Sequence, residues 1–385
     1  MQKVTLDGIK VVDVHAHPFR EQREPENPVD FLRKLSLSVI PEMFTNIEDV
    51  EKFQPYPGTN MWIQILFRHM AKYLNCEPDL PSIVEARNKK AKNFPDYTKE
   101  LFADANLEGL IMDFGYPQPP INRDDFQQMS GAQIWEIHRI EPVMVELGKQ
   151  KLSFEGFIEK YRDNLEKALK RDGVVGLKTI IAYRSGLEIS NKDGKAAASA
   201  YEEFLLNEKA PAKAMRDYCF HIAMEECTRA DKFMHIHTGI GDGEVVLSKA
   251  SPSFLLDTFR KPEYKETKIH LVHGGYPWME EAAFIVSILP NVYMDISLQN
   301  PFTGHGVERI ISQVLELAPF DKVMYGSDAF TVPEMNWLGV KLFKDCFERV
   351  LSDWVEKDYM DADQARYIGE MILYKNFENI YKVKI

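Results

Sequence analysis

Residues 9–17 read IKVVDVHAH, a β-branched run ending in two histidines one residue apart. Side chains alternate across an extended strand, so His15 and His17 project to the same side. In a barrel that side is the interior, where two imidazoles can chelate one ion; surface or core histidines give the same His-x-His pattern. The fold turns on whether comparable runs recur. Seven do: 107–114 (LEGLIMDF), 133–139 (QIWEIHR), 174–182 (VVGLKTIIA), 232–237 (KFMHIH), 268–273 (KIHLVH), 291–296 (NVYMDI) and 322–327 (KVMYGS). Longer amphipathic stretches separate them, the alternation expected of βαβ units around a parallel sheet. Eight strands close a barrel, so the expected fold is an α/β (β/α)8 TIM barrel.

The intervening stretches carry helix punctuation. Ser153 is placed to cap FEGFIEKYRDNLEKALKRDG, which ends at Gly173 after a basic last turn, and Ser251 precedes PSFLLDTFR with Pro262 just beyond. VERIISQVLEL, residues 307–317, shows apolar positions at helical spacing between the seventh and eighth runs. The first and second runs are separated by roughly ninety residues, against about two to six for an ordinary βα loop. Within them FLRKLSLSVIPEMF, TNMWIQILFRHMAKYL and DLPSIVEARNKKAKN read as helical. A helical insertion over about 18–106 is therefore expected on the catalytic mouth, as a lid and specificity element. Residues 334–383 read as two long helices, the second starting at Asp361, which form a C-terminal helical extension. The expected organisation is one barrel domain over 1–385.

Composition narrows the function. Apolar residues make up 45% and charged ones 28%, enough for a large core, and the net charge of −12 with no Lys/Arg stripe disfavours nucleic acid. No apolar leader segment opens MQKVTLDGIK and no run of about 18 apolar residues occurs, so no membrane contact and a cytoplasmic location are expected. A homodimer would be usual for such a chain. Cys76, Cys219, Cys227 and Cys346 are widely spaced, which suits reduced thiols and leaves any metal to histidines and carboxylates.

Candidate donors fall at the ends of four runs: His15 and His17, His235 and His237, His273, and Asp328. Barrel active sites are built at such ends, and with only ten histidines in the chain their convergence points to a metal site. Imidazoles plus a carboxylate without cysteine suit Zn2+, while Mn2+ and Fe2+ accept the same donors. His270, three residues before His273, is expected on the opposite strand face, towards the helices. His69, His221 and His305 lack converging partners. Gly274-Gly275-Tyr276-Pro277 has neither the Lys-Ser/Thr of a phosphate loop nor a dinucleotide fingerprint.

The motifs DVHAHPF, HIHTGIGD, HLVHGGYPW and VMYGSDA resemble those of the amidohydrolase-related family, and NFENIY resembles its closing Asn-containing helix. That family includes a semialdehyde decarboxylase and, nearer to this chain, the amidohydrolase domain fused to glutamine synthetase in nodulin-like proteins. The resemblance implies His15, His17 and His237 as metal ligands and Asp328 as a ligand that also takes a proton. It implies His273 as the residue that orients or activates water. His237 is preferred to His235 because it lies closer to the strand end and matches the family's His-Thr-Gly; His235 is expected one layer below. Lys178 matches fourth-strand lysines that are carboxylated and bridge two ions, yet single-metal relatives also carry Gly-x-Lys, which leaves a cationic substrate or structural role open. Tyr183 and Arg184 open the fourth βα loop, where the guanidinium either holds a substrate carboxylate bidentately or makes a surface ion pair. Arg139 and Glu141 either reach the pocket or form a buried ion pair. The implied function is a one-ion, metal-dependent hydrolase acting on a C–N or related carbonyl bond of a small, carboxylate-bearing substrate. Non-oxidative decarboxylation is the alternative, with sugar-acid isomerisation third.

Overall fold

The computed structural model describes residues 4–37, 40, 42–54 and 56–385. Its barrel strands are β1 (Val11–Ala16), β2 (Leu107–Asp113), β3 (Gln133–Arg139), β4 (Val174–Thr179), β5 (Phe233–His237), β6 (Lys268–Val272), β7 (Val292–Asp295) and an eighth, Val323–Met324. They lie side by side in sequence order, and every neighbouring pair is parallel. Backbone bonds from Val14 N to Tyr325 O (3.1 Å), Asp328 N to His15 O (2.8 Å) and His17 N to Ala329 O (2.7 Å) bring the last strand against the first. The eight-stranded sheet thereby curls into the expected TIM barrel.

Strands end earlier than their apolar runs. Residues 181–183 form a 3-10 turn after β4, and 273–275 do so after β6. Hydrophobicity marks what is buried, and at the barrel mouth the chain stays buried after it has left the sheet.

Phe154–Lys170 lies between β3 and β4, capped as expected by Ser153, whose hydroxyl accepts from Gly156 N. Lys213–Ala230 precedes β5, Met279–Ile288 follows β6, Val307–Val314 follows β7 and Pro333–Glu356 follows the last strand. The insertion is helical at Pro28–Leu35, Ile47–Lys52, Met61–Leu74, Leu80–Lys90 and Phe94–Ala105. The stretch expected to be helical over 31–44 is so only to Leu35, and Ser38, Val39 and Pro41 within it lie outside the described residues.

The interior has two layers. The lower is apolar, with Val12, Val14, Ile111, Trp135, Ile137 and Met324 in one buried cluster with Phe377. Each such side chain contributes about 1.5–3 kcal/mol on burial. Phe377 belongs to the C-terminal extension, whose first helix, Ala362–Glu370, starts at an Asp361–Gln364 capping box. One π turn at Met371–Lys375 carries the chain into Asn376–Tyr381. The Phe377 ring centroid lies 4.6 Å from Trp135 and that of Tyr381 4.3 Å from Phe233. Asn376 Nδ2 donates to Phe320 O (2.7 Å) and Val323 O (2.8 Å), fixing this helix across the N-terminal mouth of the barrel. The upper layer is polar and opens at the other mouth.

Candidate metal centre

β1 supplies two histidines to the upper layer by breaking its own alternation. Its register against β2 advances three residues from Asp13 to Ala16 while β2 advances two, from Leu110 to Met112. The extra residue is a bulge, which lets Val12 and Val14 fill the apolar layer while His15 and His17 also turn inward. Asp13 braces the bulge. Its Oδ1 accepts from Ser327 N (3.0 Å) and His15 N (3.2 Å), and its Oδ2 accepts from Ser327 Oγ. Burial pushes the Asp13 carboxyl up to about 7 despite these donors.

Asp328 follows Ser327 at φ +54°, a left-handed conformation held by its backbone bond to His15 O. Its Oδ1 is buried with no hydrogen-bond partner, yet lies 3.4 Å from both His15 Nε2 and His17 Nε2. The other nitrogen of His17, Nδ1, lies 3.0 Å from Asp113 O. A carbonyl only accepts, so His17 carries a proton on Nδ1, and Nε2 is the nitrogen that faces Asp328 and can lend a lone pair to an ion.

His273 reaches the same place through a left-handed residue, φ +70°. Its Nδ1 lies 2.8 Å from Ser297 Oγ, and its Nε2 lies 3.1 Å from His237 Nδ1 and 3.9 Å from Asp328 Oδ2. Gly274, at φ +53°, must be glycine because a Cβ would stand 2.8 Å from Asp295 O. His237 directs Nε2 to Ile240 O at 3.0 Å. Burial, reinforced by Lys178 and neighbouring imidazoles, holds His15, His237 and His273 well below the usual histidine range. They are neutral lone-pair donors.

This donor set fits a divalent ion. An imidazole lone pair facing an unpartnered carboxylate oxygen is satisfied by a cation between them. Donors about 2.1 Å from a tetrahedral ion stand about 3.4 Å from each other, which matches both Asp328–histidine separations. Among the described residues, His15, His273 and Asp328 have donor atoms all within 4.8 Å of one another. All five expected side chains line one pocket, with His273 Nε2 3.9 Å from Asp328 against 3.4 Å for the two histidines of β1.

Around these donors is a pocket of about 410 Å³, lined also by Lys178, Arg139, Tyr183, Arg184, Tyr116 and Leu37. Lys178 Nζ lies 3.1 Å from His15 Nε2, and burial pushes its ammonium down to about 8. Arg139 is committed to Asp113, with Nε at 2.9 Å and Nη2 at 2.6 Å from Oδ2. Burial alone would raise Asp113, but the guanidinium outweighs it and holds the carboxyl at about 2. Arg139 thus meets both expectations, lining the pocket and forming a buried ion pair, with Asp113 rather than Glu141 as its partner. Glu141 instead accepts from Thr179 Oγ1 (2.6 Å) and Ile180 N (2.9 Å). The Tyr183 ring packs 4.7 Å from His237, and its hydroxyl accepts from Asp242 N at 3.1 Å. Arg184 lies at the rim, 3.5 Å from Glu244 Oε2.

His235 takes its expected place one layer below. His270 does not: it turns inward, stacked on His235 at 4.5 Å, with its Nε2 2.8 Å from Asp295 Oδ2. Strand alternation fails as a guide here because β6 ends at Val272, and left-handed His273 reverses the side-chain direction. Asp113 and Asp295, which brace the site, are absent from the sequence-based candidates although both stand at strand ends. The positional criterion that picks out Asp328 also marks them.

The comparisons agree with this architecture. A family described as amidohydrolase matches residues 154–370, a little over half of the chain. Protein fluG of Emericella nidulans is 26% identical over 244 residues, covering 60% of this chain. The chain spans only 28% of that relative's length. A solved structure described as a putative metal-dependent hydrolase from Lactobacillus casei superposes with a TM-score of 0.84 at 21% identity, covering 99% of this chain and 98% of its own. A uronate isomerase from Thermotoga maritima gives 0.66 at 15% identity, with 97% and 95% covered. At these identities the two structures attest the fold. The match over residues 154–370 shows that this chain belongs to the amidohydrolase family.

Proposed function

We propose that the chain is a metal-dependent hydrolase of a C–N or related carbonyl bond in a small, carboxylate-bearing substrate. One zinc ion would be held by His15, His17, His237 and Asp328. The observation that carries this reading is the buried, unpartnered Asp328 Oδ1, 3.4 Å from two imidazole nitrogens. A divalent ion bound there polarises a carbonyl and acidifies water to a pKa of about 7. The chain's own groups do the rest. Asp328 keeps a carboxylate oxygen free of donors and able to take a proton. His273, protonated on Nδ1 towards Ser297, offers Nε2 as a second proton acceptor. Lys178 places positive charge beside His15, where it favours an anionic substrate. Arg184 at the rim binds the substrate carboxylate. A cytoplasmic location suits the four cysteines, all free thiols.

The test is elemental analysis of chain purified without chelators, together with an activity panel of N-acyl amino acids, cyclic amides, aromatic carboxylates and hexuronates. About one zinc per chain is expected, lost in His15→Ala and kept in Lys178→Ala, with amide hydrolysis abolished in Asp328→Asn. A second ion lost with Lys178 replaces the one-ion site by a bridged one. Carbon dioxide release or uronate turnover without hydrolysis replaces the reaction, and absence of metal from every preparation removes the reading altogether.

A further inference from the structure

Beneath the metal centre a chain of side-chain hydrogen bonds runs down the barrel interior. Ser297 Oγ donates to Asp295 Oδ1, so its one proton is committed and its oxygen accepts from His273 Nδ1 at 2.8 Å. His273 therefore turns an unprotonated Nε2 towards His237 and Asp328. Asp295 Oδ1 is held further by the amides of His273 (3.0 Å) and Ser297 (2.8 Å), while Oδ2 accepts from His270 Nε2 at 2.8 Å. His270 Nδ1 is left to accept from the Tyr381 hydroxyl at 2.8 Å, and the Tyr381 oxygen accepts from His235 Nε2 at 3.0 Å. This direction of donation also accounts for His235 Nδ1, which is buried without a partner: a ring protonated on Nε2 has only a lone pair there. His235, His270, Asp295 and Ser297 are completely buried, so water cannot replace a missing link.

We propose that Asp295 and Tyr381 are positioning residues, and that the Tyr381–His270–Asp295–Ser297 chain fixes the tautomer and ring orientation of His273. The C-terminal helix at one mouth is thereby coupled to the metal centre at the other. Hydrogen-bond partners of this kind set which imidazole nitrogen faces an ion and typically change metal affinity about 10- to 100-fold. The proposal rests on that metal centre with His273 Nε2 turned to the ion beside His15 and Asp328, whose donor atoms lie within 4.8 Å of one another, rather than left free as a proton acceptor.

The test uses the full chain with 15N-labelled histidine rings, the His273 signals being assigned by their loss in His273→Gln. Long-range 1H–15N NMR of the metal-free protein should show His273 protonated on Nδ1. In Ser297→Ala the Nε2-protonated form should appear, and the zinc dissociation constant from chelator competition should rise about 10- to 100-fold. Tyr381→Phe keeps the ring packing and should shift the His270 and His273 signals and weaken zinc binding at least threefold, with an unchanged melting temperature. It carries the test alone if Ser297→Ala does not fold. A wild-type His273 protonated on Nε2 overturns the proposal, as does a Tyr381→Phe protein with wild-type ring signals and zinc affinity. Because the tautomer is read without metal, a chain that binds no zinc defeats the metal reading and leaves the hydrogen-bond chain standing. A zinc-binding chain with His273 protonated on Nε2 does the reverse.

Discussion

Two arginines line the same pocket and differ in what they have left to offer. Arg139 spends its fork on Asp113, whereas Arg184 donates from Nη1 to Tyr183 O at 3.2 Å and meets the exposed Glu244 only at 3.5 Å. A surface pair of that length contributes at most about 1 kcal/mol, so a substrate carboxylate displaces it at little cost. Hydrogen bonds to charged groups contribute about 1.5–3 kcal/mol, so Arg184→Met should raise KM for a carboxylate-bearing substrate about 10- to 100-fold with kcat within a few-fold. An unchanged KM would return Arg184 to the surface-pair role. The site was legible in the sequence because a metal centre draws on few residue types and a barrel puts them at strand ends. What escaped was direction. His270 and His273 differ by three residues, and a single left-handed backbone at His273 sends both inward. The bulge in β1 likewise admits Val14 and His15 to the same interior, and neither feature has a signature in residue identity.

Among the elements, the insertion was readable as helical from its apolar spacing, but not the means by which it is fastened to the barrel. Arg87, on Leu80–Lys90, is fully buried against Glu334 at the start of Pro333–Glu356. The same Glu334 oxygen accepts from Tyr97 OH at 2.9 Å, and Arg87 Nη1 reaches Gln22. Glu334 lies more than two hundred residues from Arg87 and Tyr97, and Gln22 lies 65 from Arg87, so nothing local in the sequence marks these contacts. Removing one charge of such a pair strands the other where water cannot reach it, at a cost of about 3–5 kcal/mol. Glu334→Gln should therefore lower the unfolding free energy by about that amount in urea titration, while Glu85→Gln, which removes a solvent-exposed pair with Lys89, should leave it unchanged. A loss of less than about 1 kcal/mol for Glu334→Gln would mean that apolar packing alone holds the insertion.

Across the whole molecule, Lys344 joins three parts that the sequence lists far apart. From Pro333–Glu356 its Nζ donates to Ile9 O at 2.8 Å, ahead of β1, and to Ala105 O at 3.5 Å, at the end of the insertion. The side of the barrel beside β1 is thus closed by an ammonium on backbone carbonyls, with no carboxylate in ion-pair contact among the described residues. Burial, with Lys341 adding to it, pushes Lys344 down from 10.5 to about 8. In the unfolded chain the amine returns to its ordinary value, so between pH 8 and about 10.5 the unfolded state binds more protons and stability rises with pH. Below pH 8 the folded chain carries the full cost of keeping the buried group charged, about 3 kcal/mol for a shift of this size. Lys344→Met removes the titration together with the two hydrogen bonds. The stability difference, wild type minus variant, should therefore climb in favour of wild type as pH rises from 7 to 10, approaching about 1.4 kcal/mol per unit at its steepest. Urea titrations of both proteins at unit pH steps measure that difference. Referring each point to the variant cancels the other titrating groups, so a flat difference across this range would place the Lys344 amine in water rather than between the two carbonyls.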